Sequence, residues 1–334
     1  MKNRLSGMQR HVVDFNTALK TRNAKAQRRQ GSTIVQKMAD CYNHTFANSF
    51  QSKEVYLNSL KLSSCMAESK DFVCRRIAAY ISESLKLSAT FVNDISWQKR
   101  EQLLDSGEIH VCWICGLPYI RKADVPNSNI SLLVAPVMRG SRYNGEPVYF
   151  SDVVVHRESK FQNFHDLQGA SWAYNERRSH SGFHLVSYQL SQAGRDWGFF
   201  ARVQESGAHR ASLRLILDGE VDASAIDTTV LEMELARNPE IRSQIRVIDT
   251  WGPSPIPPWV ILRRIPESVR NSLQQLLLNM HQETRGQELL AEGPIERFVL
   301  VKDAHYDPIR RMRDASARVT ENFERTLLPT LPLL

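Results

Sequence analysis

The stretch "ASWAYNERRSHSGFHLVSYQL", residues 170–190, decides the fold, because it contains a strand, a polar turn and a helix in immediate succession. Its first six residues are typical of a buried strand. Phe183, Val186 and Leu190 then follow at i, i+3 and i+7, which places them on one face of a helix, and Ala193-Gly194 is a stop signal. This strand–turn–helix unit predicts an α/β protein.

The turn in this unit is chemically specific. Either Ser179 or Ser181 can serve as the N-cap of the helix. A helix start exposes unpaired backbone N–H groups and the positive end of the helix dipole, so small anions bind there readily. An ordinary N-cap with a second serine beside it explains the same residues. The turn alone does not distinguish an anion site from an ordinary cap.

The same alternation begins upstream, at residue 60. Strands are predicted at 60–66, 89–94, 108–114, 129–138 and 147–157, and helices at 67–85 and 96–107, the second capped by Ser96 and closed by Gly107. In the first helix the inward face is predicted to be Phe72, Ile77, Ala78, Ile81 and Leu85. A βαβαβ order of this kind implies a mostly parallel sheet covered by helices.

A second cycle follows the first. Strands are predicted at 170–175, 197–205, 221–226 and 245–250, and helices at 208–220, 227–238, 266–291 and 308–325, the last two returning to the first unit. Two α/β units in tandem predict two lobes, each a mostly parallel sheet flanked by helices, with a cleft between them. The predicted boundaries are 60–150 plus 248–334 for lobe I and 151–247 for lobe II.

Charge is concentrated at the N-terminus. The 334 residues have a net charge of +7, and residues 1–59 alone hold ten Lys/Arg against three Asp/Glu, so the remainder is neutral. A neutral body disfavours a nucleic-acid-binding protein. Residues 1–59 are predicted to be a basic, loosely ordered extension.

No apolar run approaches the length of a membrane span, and the first thirty residues lack the apolar region of a secretory signal. The sequence therefore predicts neither membrane insertion nor secretion.

Five cysteines are present, an odd number without a framework pattern. Cys112 and Cys115 form a CxxC, but they fall in a predicted strand, where residues three apart point to opposite faces. Buried structural cysteines are therefore favoured over a functional pair, and neither a metal site nor a cofactor is predicted.

Polar groups cluster where strands lead into helices, which is where α/β sheets bind ligands. They follow five separate strands: Ser64-Cys65, residues 116–119, residues 175–181, His209 and Asp227. Such independent turns make a convergent site more probable than any one motif does.

Four segments resemble the phosphate/phosphite/phosphonate-binding proteins of ABC importers, which have the type II periplasmic binding protein fold. They are "GEIHVCWICGLPYI", "DLQGASWAYNERRSHSG", "DGEVDASAIDTTVLEM" and "GPSPIPPWV", within a likeness that spans residues 60 to 300. The second matches the family's S-x-SG anion loop. The resemblance implies a bilobed receptor for a tetrahedral oxyanion.

The resemblance also implies a set of ligand-binding residues. The anion would accept hydrogen bonds from the hydroxyls of Ser179 and Ser181 and from backbone N–H groups around His180 and Gly182. The remaining ligand-binding candidates are His209, Asp227, Tyr119 and Asn175.

Two of these residues, His209 and Asp227, have an alternative role. His209 can also be a surface residue at a helix start, and Asp227 can be a plain N-cap, although a cap and a ligand contact can coexist. Because a carboxylate repels an anion, Asp227 would favour a ligand that carries a proton or an amine. Tyr119 is expected to line the cleft from the first lobe.

Arg177 and Arg178 depart from the family pattern. They can recognise a second negative group on the ligand, or they can face solvent. The missing secretory signal is the other departure. The resemblance implies the periplasm, whereas the chain as it stands is predicted to be cytoplasmic.

The predicted function is a monomeric, non-enzymatic solute-binding protein. It would close around a small phosphorus oxyanion by hinge motion near residues 150–153 and 246–250, with an ABC transporter permease as partner and without nucleic acid. Two alternatives remain: an enzyme of cofactor or phosphate-ester metabolism on the same fold, and a ligand-sensing regulatory domain.

Overall fold

A computed structural model describes residues 59–327, which form two β-sheets with helices packed against them. The predicted extension, residues 1–59, lies outside the described residues except for its last position. The first sheet contains β1 (Ser59–Ser64), β2 (Ser88–Phe91), β3 (Val111–Trp113), β4 (Ile130–Met138), β10 (Trp259–Leu262) and β11 (Ile295–Val299).

The strand order of the first sheet is β11-β4-β10-β3-β1-β2. Strands β1, β2 and β3 pair in parallel, whereas β10 runs antiparallel to both of its neighbours and β11 antiparallel to β4. Four of the six strands therefore point the same way. The two reversed strands, β10 and β11, were not predicted from the sequence.

The helices of the first sheet are α1 (Asp71–Leu85), α2 (Trp97–Asp105), α3 (Gly116–Ala123), α8 (Glu267–Asn279) and α9 (Thr284–Glu292). Ser96 caps α2 as predicted, its hydroxyl accepting from the Lys99 N–H. The prediction that Phe72 faces inward is wrong, since Phe72 is 55% exposed. Phe72 and Ile77 are five positions apart, and at 3.6 residues per turn this places Phe72 off the buried face that contains Ile77.

The second sheet contains β5 (Val148–His156), β6 (Ser171–Tyr174), β7 (Arg202–Glu205), β8 (Ala223–Asp227) and β9 (Ile245–Pro255), in the order β7-β6-β8-β5-β9. Its helices are α4 (Leu185–Gln192), α5 (His209–Leu217), α6 (Thr228–Arg237) and α7 (Ile241–Gln244). Strands β6, β7 and β8 are parallel, and β5 is antiparallel to β8 and β9. We refer to each sheet with its helices as a lobe.

The chain passes between the lobes through residues 139–147 and 256–258. The predicted hinge positions, residues 150–153 and 246–250, lie inside β5 and β9, which pair with each other. Hinge motion at these positions stays a prediction.

The last helix, α10 (Asp307–Leu327), contacts both lobes. Arg310 near its start binds Asp124 of the first lobe at 2.7 Å. Farther along, Ser191 of the second lobe donates to the carbonyl of Ala315, and Val319 lies in the second lobe's core. The sequence analysis predicted that this helix returns to the first lobe. It packs on both lobes.

Cys112 lies in the core of the first lobe, and burial raises the pKa of its thiol well above the usual range. Strand β3 ends at Trp113, so Cys115 lies beyond the strand and caps α3. The thiol of Cys112 lies 3.7 Å from that of Cys65. Among the residues described, no helix is both long enough and apolar enough to span a membrane.

Candidate functional site

A cavity of about 780 Å³ lies between the two lobes. Five of the eight predicted ligand residues line it, all on the second lobe: Asn175, Ser179, Ser181, His209 and Asp227. The wall on the first lobe is formed by Cys65, Met66, Ala67, Glu68, Trp97, Arg100 and Cys115. The structure thus brings together side chains from turns that are far apart in the sequence.

Residues 175–182, called the anion loop here, follow β6. The loop includes the first residues of a π-helical turn, His180–His184, which leads into α4. Ser179 is the N-cap, and its hydroxyl accepts from the Gly182 N–H at 3.1 Å. The hydroxyl of Ser181 lies 3.2 Å from Nε2 of His209. π-helical turns are frequent at functional sites, and this one presents two serine hydroxyls at one end of the cavity.

His209 is the first residue of α5 and is buried. Burial lowers the pKa of its ring to about 4, although the negative charge of Asp227 acts in the opposite direction. At neutral pH the imidazole is therefore uncharged and offers one N–H donor. Nδ1 has no partner among the described residues, so the ring has hydrogen-bonding capacity to spare.

Asp227 ends β8 and caps α6. Its Oδ1 accepts from the backbone N–H groups of Thr229 and Val230 and from the Thr229 hydroxyl, at 2.8, 3.4 and 2.5 Å. The N-cap role is thus present, and since Asp227 also lines the cavity, a ligand contact is compatible with it.

Lys70 of the first lobe is a neighbour of this site that the sequence did not reveal. Its Nζ donates to the Thr229 hydroxyl at 2.5 Å and lies 4.9 Å from the centre of the Trp113 ring. Lys70 is buried, so it places a positive charge two hydrogen bonds from the Asp227 carboxylate. Its position shortly after β1, at the ligand-binding edge of the sheet, was the one available signal.

His180 does not line the cavity. Its Nε2 lies 3.1 Å from the Ser254 hydroxyl on β9, and its ring is 6.4 Å from that of Tyr149. Position 180 is the variable residue of the S-x-SG pattern, and here its side chain is directed to β9.

Gly182 is needed for close packing in the anion loop. A Cβ atom at this position would lie 2.0 Å from Oδ1 of Asn175 and 3.1 Å from Cε1 of His209. Its N–H is directed to the Ser179 hydroxyl and not into the cavity.

Gly182→Ala is therefore expected to destabilise the protein by about 1–3 kcal/mol, since Asn175 must move to admit the methyl group. Urea unfolding measures the loss. In Asn175→Ala/Gly182→Ala the clashing amide is gone, and most of the stability should return. An equal loss in the double variant would contradict this explanation.

Tyr119, predicted to line the cleft, lies elsewhere. Its hydroxyl donates to Asp303 at 2.6 Å, and its ring packs against Tyr306 at 4.6 Å. Helix α3 begins at the cavity, but Tyr119 lies on the side of α3 that faces the turn leading into α10.

Asn175 and Glu176 leave acceptor oxygens unpartnered. Oδ1 of Asn175 and Oε2 of Glu176 are buried without a hydrogen-bond donor among the described residues, and both side chains line the cavity. Burial raises the pKa of Glu176 to about 7, against the lowering effect of Arg178. Together with Asp227, these acceptors suit a ligand that brings donors of its own.

Of the two arginines, Arg177 faces solvent, which was one of the predicted alternatives, and Arg178 follows neither alternative. Arg177 is exposed and lies 3.6 Å from Glu205 of its own lobe. Arg178 instead reaches across to the first lobe, where its guanidinium lies 2.7 Å from both carboxylate oxygens of Glu101. Neither arginine lines the cavity.

Arg100 does line the cavity, but its guanidinium donors are used within the first lobe. They go to the Asp71 carboxylate and to the backbone carbonyls of Ser64, Asn93 and Ile95. Two other arginines of the cavity wall, Arg210 and Arg214, lie on α5, and Arg210 pairs with Glu234 at 2.9 Å.

Comparisons with known proteins identify the family of the chain. The family model described as the ABC transporter, phosphonate, periplasmic substrate-binding protein matches residues 73–306. The probable ABC transporter phosphite binding protein PhnD1 of Prochlorococcus marinus is 20% identical over 264 residues, which is 76% of this chain and 88% of the relative.

Two solved structures share the fold. The binding protein component of an ABC phosphonate transporter from Pseudomonas aeruginosa has a TM-score of 0.70 at 15% identity, covering 79% of this chain and 88% of the other. PhnD1 of Prochlorococcus marinus in complex with methylphosphonate has a TM-score of 0.67 at 19% identity, covering 77% and 97%. The predicted type II periplasmic binding protein fold is thereby confirmed.

Proposed function

Since the chain belongs to the phosphonate periplasmic substrate-binding proteins of ABC transporters, we propose that it captures a small phosphorus oxyanion between its lobes. The observation that carries the proposal is the meeting of Ser179, Ser181, His209 and Asp227 in the wall of one cavity. In this arrangement the serine hydroxyls and the imidazole donate to the oxyanion. Asp227 accepts a proton or another donor from the ligand.

The size of the cavity narrows the ligand class. A volume of about 780 Å³ falls among sites that hold drug-sized molecules, roughly 300–1,000 Å³. We therefore favour an organic phosphonate or a phosphate ester over inorganic phosphate or phosphite. The unpartnered oxygens of Asn175 and Glu176 would face donors on the organic part.

The chain is proposed to bind this ligand without altering it chemically and to deliver it to a transporter permease. The family is described as periplasmic, which does not support the cytoplasmic location predicted from the sequence. A periplasmic site of action is the location consistent with delivery to an importer.

Thermal unfolding with candidate ligands tests the proposal. Methylphosphonate, 2-aminoethylphosphonate and simple phosphate esters are compared with phosphate, phosphite and sulfate. At a hundred times its dissociation constant, a true ligand stabilises by about 2.7 kcal/mol, which raises Tm by roughly 4 °C in a chain of this size.

We expect the largest shift from an organic phosphorus compound and none from sulfate. A shift from phosphite alone would contradict the size argument but keep the oxyanion site. Unchanged Tm with every compound would contradict the proposed function.

A further inference from the structure

Arg178 and Glu101 form an ion pair between the two lobes, and their chain neighbours Ser179 and Arg100 line the cavity. Arg178 lies in the anion loop of the second lobe, and Glu101 lies on α2 of the first. Nη1 and Nη2 of Arg178 each lie 2.7 Å from one carboxylate oxygen, Oε2 and Oε1 respectively. Only the Nη2–Oε1 contact is aligned as a hydrogen bond, and the Nη1–Oε2 contact adds close charge attraction. Charge-assisted hydrogen bonds of this kind are stronger than neutral ones.

The acidic partner is buried, which distinguishes this pair from an ordinary surface contact. The Glu101 side chain is 4% exposed, against 43% for Arg178. The other positively charged partner of Glu101 is Lys122, whose Nζ lies 3.0 Å from Oε1 and which also pairs with Asp105. Loss of Arg178 would therefore leave a buried carboxylate with one shared counter-charge, which is costly.

The pair is adjacent to the ligand-binding residues. Arg178 directly precedes Ser179, whose N–H donates to the Glu176 carbonyl at 3.2 Å and so closes the turn. The Arg178 guanidinium also lies 5.9 Å from the centre of the Trp97 ring, and Trp97 lines the cavity. Whatever holds Arg178 in place also holds the end of the turn that presents Ser179.

We propose that Arg178 and Glu101 form a clasp that holds the anion loop against the first lobe and so strengthens ligand capture. Arg178 is on this view a positioning residue, and the clasp rests on the proposed function. The approach of the lobes that joins Arg178 to Glu101 also encloses the ligand, so each event favours the other.

Arg177 provides a matched control. It is the neighbouring arginine, with the same charge and in the same loop, but its 3.6 Å contact with Glu205 stays within the second lobe. Arg177→Ala therefore removes an equal charge near the site without breaking a contact between lobes.

The test compares Arg178→Ala, Arg177→Ala and Glu101→Gln in the full-length chain by calorimetric titration with methylphosphonate. We expect Arg178→Ala and Glu101→Gln to weaken binding at least tenfold and Arg177→Ala to change it less than threefold. The double variant Arg178→Ala/Glu101→Gln should be no weaker than either single variant. Equal affinity of the two arginine variants would overturn the clasp.

Small-angle scattering of the ligand-free proteins provides a second test that does not depend on ligand identity. The radius of gyration should increase in Arg178→Ala and stay unchanged in Arg177→Ala. If the wild-type protein binds no phosphorus compound, the proposed function fails, and scattering alone decides the clasp. Equal radii in both variants would overturn it.

Should Arg178→Ala fail to fold, Arg178→Lys keeps the positive charge but loses the planar fork. It should fall between wild type and Glu101→Gln in affinity, and wild-type affinity in this variant would contradict a role for the close guanidinium contacts with Glu101.

Discussion

Replacing Ser179 and Ser181 together with alanine is expected to weaken methylphosphonate binding by more than tenfold. Each hydroxyl is placed at the end of the cavity where the oxyanion would lie, and hydrogen bonds to charged groups contribute about 1.5–3 kcal/mol each. Calorimetric titration of the double variant measures the loss.

A control is needed because Ser179 also caps the helix, and loss of an N-cap costs about 0.5–2 kcal/mol of stability. Ser187→Ala removes another buried hydroxyl from the same helix, one that accepts from Trp197 Nε1 at 3.0 Å and does not line the cavity. This variant should lose stability but keep its affinity. If the double serine variant binds as tightly as wild type, these serines are not the anion site.

The order of elements in the fold was largely predictable, since each parallel strand is followed by an amphipathic helix with clear boundaries. The strands that escaped prediction are β10 and β11. In β10 the four residues Trp259–Leu262 sit between prolines and arginines, and they are strand only because β3 and β4 flank them on both sides. Tertiary pairing of this kind leaves no periodicity in a short segment.

The residues of the candidate site were likewise predictable only in part. Ser179, Ser181, His209 and Asp227 were found because each follows a predicted strand, and the cavity does gather them. Tyr119 follows a strand too, but one helical turn carried it out of the cavity. The topological rule predicts which loops meet, and it does not predict which way a given side chain points.

Contacts between the lobes could not be predicted at all. Lys70 and Thr229 are 159 residues apart, and Arg178 and Glu101 are 77 apart. In the sequence each is an ordinary charged or polar residue near a helix. Only the fold shows that Lys70 neighbours the cap of α6 and that Arg178 has a buried partner.

Stability is expected to fall steeply as the pH drops from about 6.5 to 4. Three histidines between residues 59 and 327 are buried, and burial lowers the pKa values of His180 and His209 to about 4 and that of His184 to about 3. In the unfolded chain each has a pKa near 6.5. Between these values the unfolded state binds more protons, so the free energy of unfolding decreases with decreasing pH.

The expected size is on the order of 2 kcal/mol per histidine at pH 5 relative to pH 7.5. Glu176 acts in the opposite sense, because its pKa is raised to about 7 in the folded state and the folded protein therefore takes up a proton in this range. Three histidines outweigh one carboxyl, so the net effect is destabilising. Urea unfolding at pH 7.5, 6.5, 5.5 and 5.0 measures the free energy directly.

His184→Leu isolates one of the three contributions. Both ring nitrogens of His184 are buried without a partner among the described residues, so leucine removes two unsatisfied polar atoms as well as the titrating group. Between the two pKa values, the slope of unfolding free energy against pH should decrease by the contribution of one bound proton, roughly 1.4 kcal/mol per pH unit. A slope identical to that of wild type would show that His184 is not a buried neutral histidine, and the acid sensitivity would then have another origin.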